Sequence, residues 1–219
     1  VVGGSGNDTV RAQADGAVIR LIGFSTVEAF SANGFSGGVI QGTARGDVFA
    51  FGSAVVTSLA IDGADGDDRI TINTFGDAMS GGAGDDHLAA GNGNATLTGG
   101  LGDDTLLGGA GDDFVQGGAG RDLVYGGVGF LDSMVGGAGD DTVFADDGAA
   151  LVDGGMGDDS IFLRFAGGWD NDDFAGSLPI FNGVYGSAGD DTVNIDGAYG
   201  TANAWLGQGD DNFTGRSEE

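Results

Sequence analysis

Residues 81–89 read GGAGDDHLA, a nine-residue unit that recurs along the middle of the chain. It fits the pattern G-G-x-G-x-D-x-U-x, in which U is apolar, and so do GGAGDDFVQ at 108–116 and GGAGDDTVF at 136–144. The units follow one another in tandem from residue 63 to residue 162, with one inserted residue before 136. A short unit repeated in register predicts a solenoid, in which each coil of the chain stacks on the coil before it.

Each unit divides into a glycine-rich turn and a strand. Three glycines in the first four positions allow positive φ and close backbone approach, so positions 1–6 are expected to turn with their carbonyls aimed at one point. Positions 7–9 are expected to form a very short strand whose apolar eighth residue points inward. Two units then close one coil, with a thin core between the strands and a turn at each edge. The predicted fold is an all-β, right-handed parallel β-roll, or β-helix solenoid, with coils of 18–21 residues.

One edge of this roll is predicted to carry an acid in every coil, always with an apolar residue two places later. Stacked about 4.8 Å apart, such carboxylates require cations between them, and calcium takes oxygen ligands from carboxylates and carbonyls. We therefore expect about five or more calcium ions. The acids of this first edge are Asp8, Glu28, Asp47, Asp68, Asp86, Asp104, Asp122, Asp141, Asp159, Asp191 and Asp211. All are predicted calcium ligands except Glu28, whose role stays open.

The alternate units form the second edge, which is predicted to be largely free of metal. Its sixth positions are Asp77, Ala95, Asp113, Asp132 and Ala150. Adjacent acids therefore occur only between Asp113 and Asp132, which are the predicted calcium ligands of this edge. Whether Asp77 binds metal stays open, as does the role of Asp172 on either edge.

The tandem resembles the calcium-binding repeat region of RTX (hemolysin-type) secreted proteins, closely from residue 63 to 162 and more weakly toward both ends. The resemblance implies a chain that stays unfolded at low calcium, is secreted by a type I-like route, and folds outside the cell or at its surface. It also implies that turn carbonyls complete each calcium site. Examples are the carbonyls of Gly82 and Gly84 below an ion and those of Gly99 and Leu101 above it.

The chain reads as one continuous solenoid domain with four stretches. These are irregular N-terminal coils at 1–62, the regular roll at 63–162, an apolar insertion packing on the roll at 163–185, and degenerate coils at 186–219. Because the chain opens inside a repeat, we expect it to be an excerpt of a longer parent with flanking domains.

Composition and motifs argue against several classes of function. A net charge of −27 argues against binding to nucleic acid or anionic membranes, and no apolar run is long enough for membrane insertion. His87 is the only histidine, and no nucleophile–histidine pairing, zinc spacing or phosphate loop occurs. We therefore expect a structural and folding module of an extracellular protein, not an enzyme. The alternatives are a structural segment of a surface adhesin or S-layer protein and, less favoured, a β-helix enzyme acting on polysaccharide.

The outward ninth positions of one sheet form an apolar stripe, which soluble monomers rarely leave uncovered. These positions read Thr71, Ala89, Leu107, Tyr125, Phe144 and Phe162. We expect the insertion at 163–185 to cover the stripe through Trp169 and Phe174. The alternative is contact with another subunit or a flanking domain, which would allow self-association.

Overall fold

The computed structural model describes residues 9–11, 18–20, 29–31, 38–42, 44–50, 59–72, 78–129, 131–146, 151–164, 183–196 and 204–215. These residues form 21 short strands and no helix. In chain order the strands are β1 (Thr9–Arg11), β2 (Val18–Arg20), β3 (Ala29–Ser31), β4 (Gly38–Gln41), β5 (Val48–Ala50), β6 (Leu59–Asp65), β7 (Arg69–Thr71), β8 (Ala78–Ala83), β9 (His87–Ala89), β10 (Thr96–Leu101), β11 (Thr105–Ala110), β12 (Phe114–Ala119), β13 (Leu123–Val128), β14 (Ser133–Ala138), β15 (Thr142–Ala145), β16 (Leu151–Met156), β17 (Ser160–Arg164), β18 (Val184–Ala188), β19 (Thr192–Asp196), β20 (Ala204–Trp205) and β21 (Asn212–Gly215).

The strands alternate between two parallel sheets, which confirms the predicted parallel β-solenoid. The even-numbered strands β2 to β20 form a ten-stranded sheet, and the odd-numbered strands β5 to β21 form a nine-stranded sheet. β1 and β3 pair with each other as a separate two-stranded sheet. Each strand pairs with its counterpart one coil away, so that Leu97 lies opposite Val115 and Leu106 lies opposite Val124. Equivalent positions of successive units therefore stack along the axis of the roll.

Most strands of the regular part are longer than the expected three residues. β11, for example, runs for six residues from the seventh position of one unit to the third position of the next. The ladder continues into the turn, because Gly109 pairs with Gly127 and Ala110 pairs with Val128. Gly109 adopts a φ of +99°, which glycine tolerates without strain, so the chain bends while it stays in the ladder.

The core is a thin double row of apolar side chains, one from each sheet in every coil. The row of the nine-stranded sheet comprises Ile70, Leu88, Leu106, Val124, Val143, Ile161 and Val193, and the row of the ten-stranded sheet comprises Ile61, Met79, Leu97, Val115, Met134, Val152 and Val184, all nearly or fully buried. Side chains alternate across a strand, so the eighth residue of each of these units faces this core, as predicted. Phe213, at the equivalent position of the last described coil, is 49 % exposed. In the part of the chain that the structure describes, no helix has the length and apolarity to cross a membrane.

The apolar stripe lies on the outer face of the nine-stranded sheet, in the predicted register. The ring of Phe144 stacks on Tyr125 at a centroid distance of 4.7 Å and on Phe162 at 4.9 Å. These rings and Leu107 are half-buried. Trp169 and Phe174 lie outside the described residues, so the expected cover by the insertion stays a prediction.

Candidate metal centre

The sixth-position aspartates of the first edge stack directly above one another. Each stands between a turn and the following strand, and its backbone N–H donates to the carboxylate of the next coil. The Asp86 N–H donates to Asp104 Oδ1 at 2.8 Å, and the Asp104 N–H donates to Asp122 Oδ1 at 2.9 Å. The same bond recurs from Asp47 through to Asp211. One oxygen of each carboxylate therefore caps a backbone donor and holds the side chain in a fixed orientation.

The other carboxylate oxygen, Oδ2, is buried and has no hydrogen-bond donor. This holds for Asp68, Asp86, Asp104, Asp113, Asp122, Asp132, Asp141, Asp159 and Asp191, each only 1–2 % exposed. Buried polar atoms normally have a partner, and leaving a charged one without any costs several kcal/mol. A row of such oxygens is the donor set that a hard cation takes.

Backbone carbonyls border the same small spaces. A Cβ built at Gly136 would lie 2.5 Å from Asp141 Oδ2 and 2.5 Å from the Gly154 carbonyl oxygen of the next coil. The equivalent point at Gly99 lies against Asp104 Oδ2 and 2.6 Å from the carbonyl oxygen of Gly117. A carboxylate oxygen and a first-position carbonyl of the adjacent coil thus surround each glycine.

Three of the four carbonyls that the resemblance implied also lie between coils. Those of Gly82 and Gly84 approach Gly100 and Gly102 of the following coil. The Leu101 carbonyl accepts from the Gly84 N–H at 2.8 Å and keeps a second lone pair. Gly99 occupies the first position, whose carbonyls line the inner corner in the neighbouring turns. Their binding of metal stays a prediction.

Burial shapes the electrostatics of this edge. The pKa of Asp104, Asp141 and Asp159 is raised to about 7, chiefly because the carboxylates are buried. The donating N–H of the preceding coil offsets part of this rise, and neighbouring carboxylates add to it. Burial likewise raises the pKa of Asp68 and Asp132 to about 6. These carboxylates are therefore costly to ionise in the folded chain, and a bound divalent cation would reverse that preference.

On the second edge, the described sixth positions Ala95, Asp113 and Asp132 stack one above another. The Ala95 N–H donates to Asp113 Oδ1 at 2.7 Å, and the Asp113 N–H donates to Asp132 Oδ1 at 2.8 Å. Asp113 and Asp132 are therefore adjacent, and both have a buried Oδ2 without a donor. Asp77 and Ala150 lie outside the described residues.

The fifth-position acids form a second ladder that the sequence reasoning missed. Here the bonds run in the opposite direction, because the Asp103 N–H donates to Asp85 Oδ1 of the preceding coil at 2.8 Å. Arg121 interrupts the ladder and pairs with Asp103 at 3.5 Å. Both side chains are more than half exposed, so this ion pair stabilises the fold little. The sequence feature that could have predicted this second ladder is the pair of adjacent acids at positions five and six, since one oxygen of each can accept from a turn N–H.

The remaining candidate site residues lie near the ends of the described ladder, on the outer face, or outside the described residues. Asp47 and Asp211 join the first-edge ladder but are half-buried, while Asp8, Glu28 and Asp172 lie outside the described residues. His87 lies on the outer face of the nine-stranded sheet and is half-exposed, and its buried Nδ1 has no partner. Among the described residues, no three Asp, Glu or His side chains are grouped closely enough to hold a metal ion by themselves.

Comparison with known proteins agrees with this geometry. The family model of the RTX calcium-binding nonapeptide repeat matches residues 1–15, 62–97, 71–106, 98–130 and 131–161, together just over half of the chain. A search of curated proteins found no match. The chain therefore belongs to the RTX calcium-binding nonapeptide repeat family.

Proposed function

We propose that this chain is a structural calcium-binding module that folds when calcium binds. The observation that carries the proposal is the set of nine buried aspartate Oδ2 atoms that have no hydrogen-bond donor, seven on the first edge and two on the second. Turn carbonyls border the corners beside several of them, and two adjacent coils supply the ligands of one ion. The binding residues are the sixth-position aspartates of the first edge together with Asp113 and Asp132.

The donor chemistry supports calcium over other metals. The chain has no cysteine and a single histidine, whereas zinc sites are built from thiolate and imidazole. Magnesium demands octahedral geometry and keeps several waters, but calcium accepts irregular shells of 6 to 8 oxygens. Buried carboxylates and carbonyls held by the backbone ladder fit calcium best.

Coupling of folding to binding follows from the same carboxylates. Ionised and without metal, they repel one another at a spacing of about 4.8 Å in a buried environment. The five intervals from Asp68 to Asp159 would each contribute about 1.4 kcal/mol at a calcium concentration ten times the dissociation constant. Together they give roughly 7 kcal/mol, comparable with the whole stability of an ordinary domain.

This coupling suits a protein that must leave the cell unfolded. Calcium is scarce inside cells and abundant outside, so the chain would pass through a type I-like secretion route and fold in the extracellular medium or at the cell surface. The repeat family is typically structural, not catalytic. The module would then serve a parent protein whose flanking domains supply any further activity.

One observation favours a second role, a segment of a surface adhesin or S-layer. The stacked rings of Tyr125, Phe144 and Phe162 form an outer apolar stripe, which suits lateral contact with another copy or a flanking domain. Calcium-dependent folding is common to both roles.

The test compares the chain in EDTA with the chain in millimolar calcium. Circular dichroism should show coil in EDTA and strand in calcium, and isothermal titration should count about five or more ions per chain. Magnesium at the same concentration is the matched control and should not restore the strand signal. An unchanged strand spectrum in EDTA would sink the proposal.

A further inference from the structure

The first position of each turn faces the interior of the roll. The eighth residue of a unit points inward and the ninth outward, so the first residue of the next unit points inward again. On the first edge this residue is a glycine in every coil from Gly42 to Gly186. A Cβ at any of the glycines from Gly63 onward would overlap the Oδ2 of the aspartate five residues later. The inner corner of these turns is therefore filled by the carboxylate itself.

On the second edge, aliphatic side chains fill the inner corner of several turns. Its first positions are Ile72, Ala90, Gly108, Gly126, Ala145, Leu163 and Ile195. Ile72, Ala145, Leu163 and Ile195 are at most 4 % exposed and belong to the core, and Ala90 packs against it. In these turns an aliphatic side chain occupies the corner that a carboxylate occupies on the first edge.

The two fillings exclude each other within the described turns of the second edge. Gly108 precedes Asp113 and Gly126 precedes Asp132, whereas Ala90 precedes Ala95. A Cβ at Gly108 would lie 2.7 Å from Asp113 Oδ2 and closer still to the Gly126 carbonyl oxygen of the next coil. A Cβ at Gly126 would lie 2.8 Å from Met134 Sδ and 3.2 Å from Asp132 Oδ2. A distance of 2.7 Å is shorter than real Cβ contacts allow, and 3.2 Å is unusually tight.

The last described coil has a side chain at the first position of the first edge. This residue is Leu206, which packs against the core. Asp211, five residues later, is half-buried, and its Oδ1 accepts from the Asp191 N–H at 3.1 Å. Its Oδ2 is not among the buried atoms without a donor.

We propose that the first residue of each turn determines whether that turn can bind calcium. Glycine leaves the corner to the carboxylate, and any side chain fills the corner and excludes it. The inference rests on the proposed function, and it limits the described turns of the second edge to one site, between Asp113 and Asp132. It also implies that only two residues, Ala90 and Ala95, prevent the turn at 90–95 from binding calcium.

That turn reads AGNGNA and keeps glycine at positions two and four. Gly93 has a φ of +102°, similar to the +129° of Gly111 one coil away. The Ala110 N–H donates to the Gly91 carbonyl at 2.8 Å, so the two turns are already in register. Only Ala90 and Ala95 separate this turn from the binding sequence.

The experiment introduces Ala90→Gly and Ala95→Asp, singly and together, and counts calcium by isothermal titration. The double variant should bind one ion more than the unmodified chain, because its new carboxylate is adjacent to Asp113. Ala95→Asp alone should bind no extra ion and should melt at a lower temperature in calcium. A full extra ion in Ala95→Asp alone, or no extra ion in a double variant with normal strand content, would overturn the inference.

A reverse cycle covers the case in which the double variant does not fold. Gly108→Ala should lower the melting temperature in calcium and remove one ion, and adding Asp113→Ala should recover part of that temperature while the ion stays lost. If adding Asp113→Ala lowers the melting temperature further, the two positions do not compete and the inference is wrong. An unmodified chain that binds no calcium would contradict the proposed function itself, which separates the two failures.

Discussion

Asp104→Asn is the substitution that tests the shared-ligand geometry most sharply. Asp104 is 1 % exposed, accepts from the Asp86 N–H and donates its own N–H to Asp122 Oδ1, so its carboxylate borders two intervals of the ladder. Asparagine keeps the volume and the accepting Oδ1 but replaces Oδ2 with an NH₂ group, which cannot bind a cation. Two sites at ten times their dissociation constant contribute about 3 kcal/mol. For a chain of this length, that loss corresponds to a melting temperature lower by roughly 6–12 °C.

The matched control is Asp103→Asn, which makes the same chemical change at the adjacent residue. The Asp103 carboxylate is about half exposed and pairs with Arg121 at the surface, so its loss should cost less than about 1 kcal/mol. Calorimetric melting and titration in calcium give the stability and the ion count of both variants. Asp104→Asn should bind about two ions fewer and Asp103→Asn none fewer. Equal losses in the two variants would refute the assignment of the sixth position as the ligand.

Three further predictions follow from the same structure. In EDTA, lowering the pH from 7.5 to 5 should increase strand content. The reason is that burial raises the pKa of several sixth-position carboxylates from 3.8 to about 6 or 7. Their neutral form stabilises the metal-free roll at low pH, and that stabilisation is lost as the pH rises through those values. A strand signal independent of pH in EDTA would contradict this. Asp113→Asn should remove one calcium ion, whereas Asp104→Asn removes two. Asp77→Ala should change the ion count little, because its neighbour Ala95 has no carboxylate. Equal losses of calcium in these variants would show that the two edges were assigned wrongly. Deleting residues 166–183 should expose the apolar stripe, seen as dye binding or self-association in calcium, and a variant that stays monomeric and binds no dye would show that something else covers the stripe.

The fold was predictable because the repeat fixes the register. In a stacked solenoid, equivalent positions must lie above one another, so the spacing of Asp86 and Asp104 alone placed them in adjacent coils. The inward eighth positions followed from strand alternation. The pairing of Asp113 with Asp132 was predictable for the same reason, once units were assigned alternately to two edges.

Other features depended on atoms that the repeat pattern does not locate. The pattern left both oxygens of each sixth-position carboxylate free for metal, but Oδ1 of Asp104 is held by the Asp86 N–H and only Oδ2 lacks a donor. The strands were longer than three residues because glycines such as Gly109 stay in the ladder while the chain bends. His87 is half-exposed and lies between Arg69 and Thr105 in the register of the outer face.

The role proposed for the first position could not be predicted from the sequence. Gly108 precedes Asp113 and Ala90 precedes Ala95, but Ile72 precedes Asp77 and Leu206 precedes Asp211. The competition between a first-position side chain and the carboxylate is visible only when the Cβ position is compared with the carboxylate oxygen. A clash of a few tenths of an ångström between a Cβ and a carboxylate oxygen cannot be derived from the spacing of residues in the sequence.

Diffraction from crystals grown in calcium would locate the cations that are proposed to lie between the Oδ2 atoms of successive coils. Anomalous difference density should show a row of peaks along the first edge, one in each interval from Asp68 to Asp159 and about 4.8 Å apart. The second edge should show one peak between Asp113 and Asp132 and none beside Ala95. Crystals of the folded chain in millimolar calcium without peaks beside the Oδ2 atoms of the first edge would contradict the account.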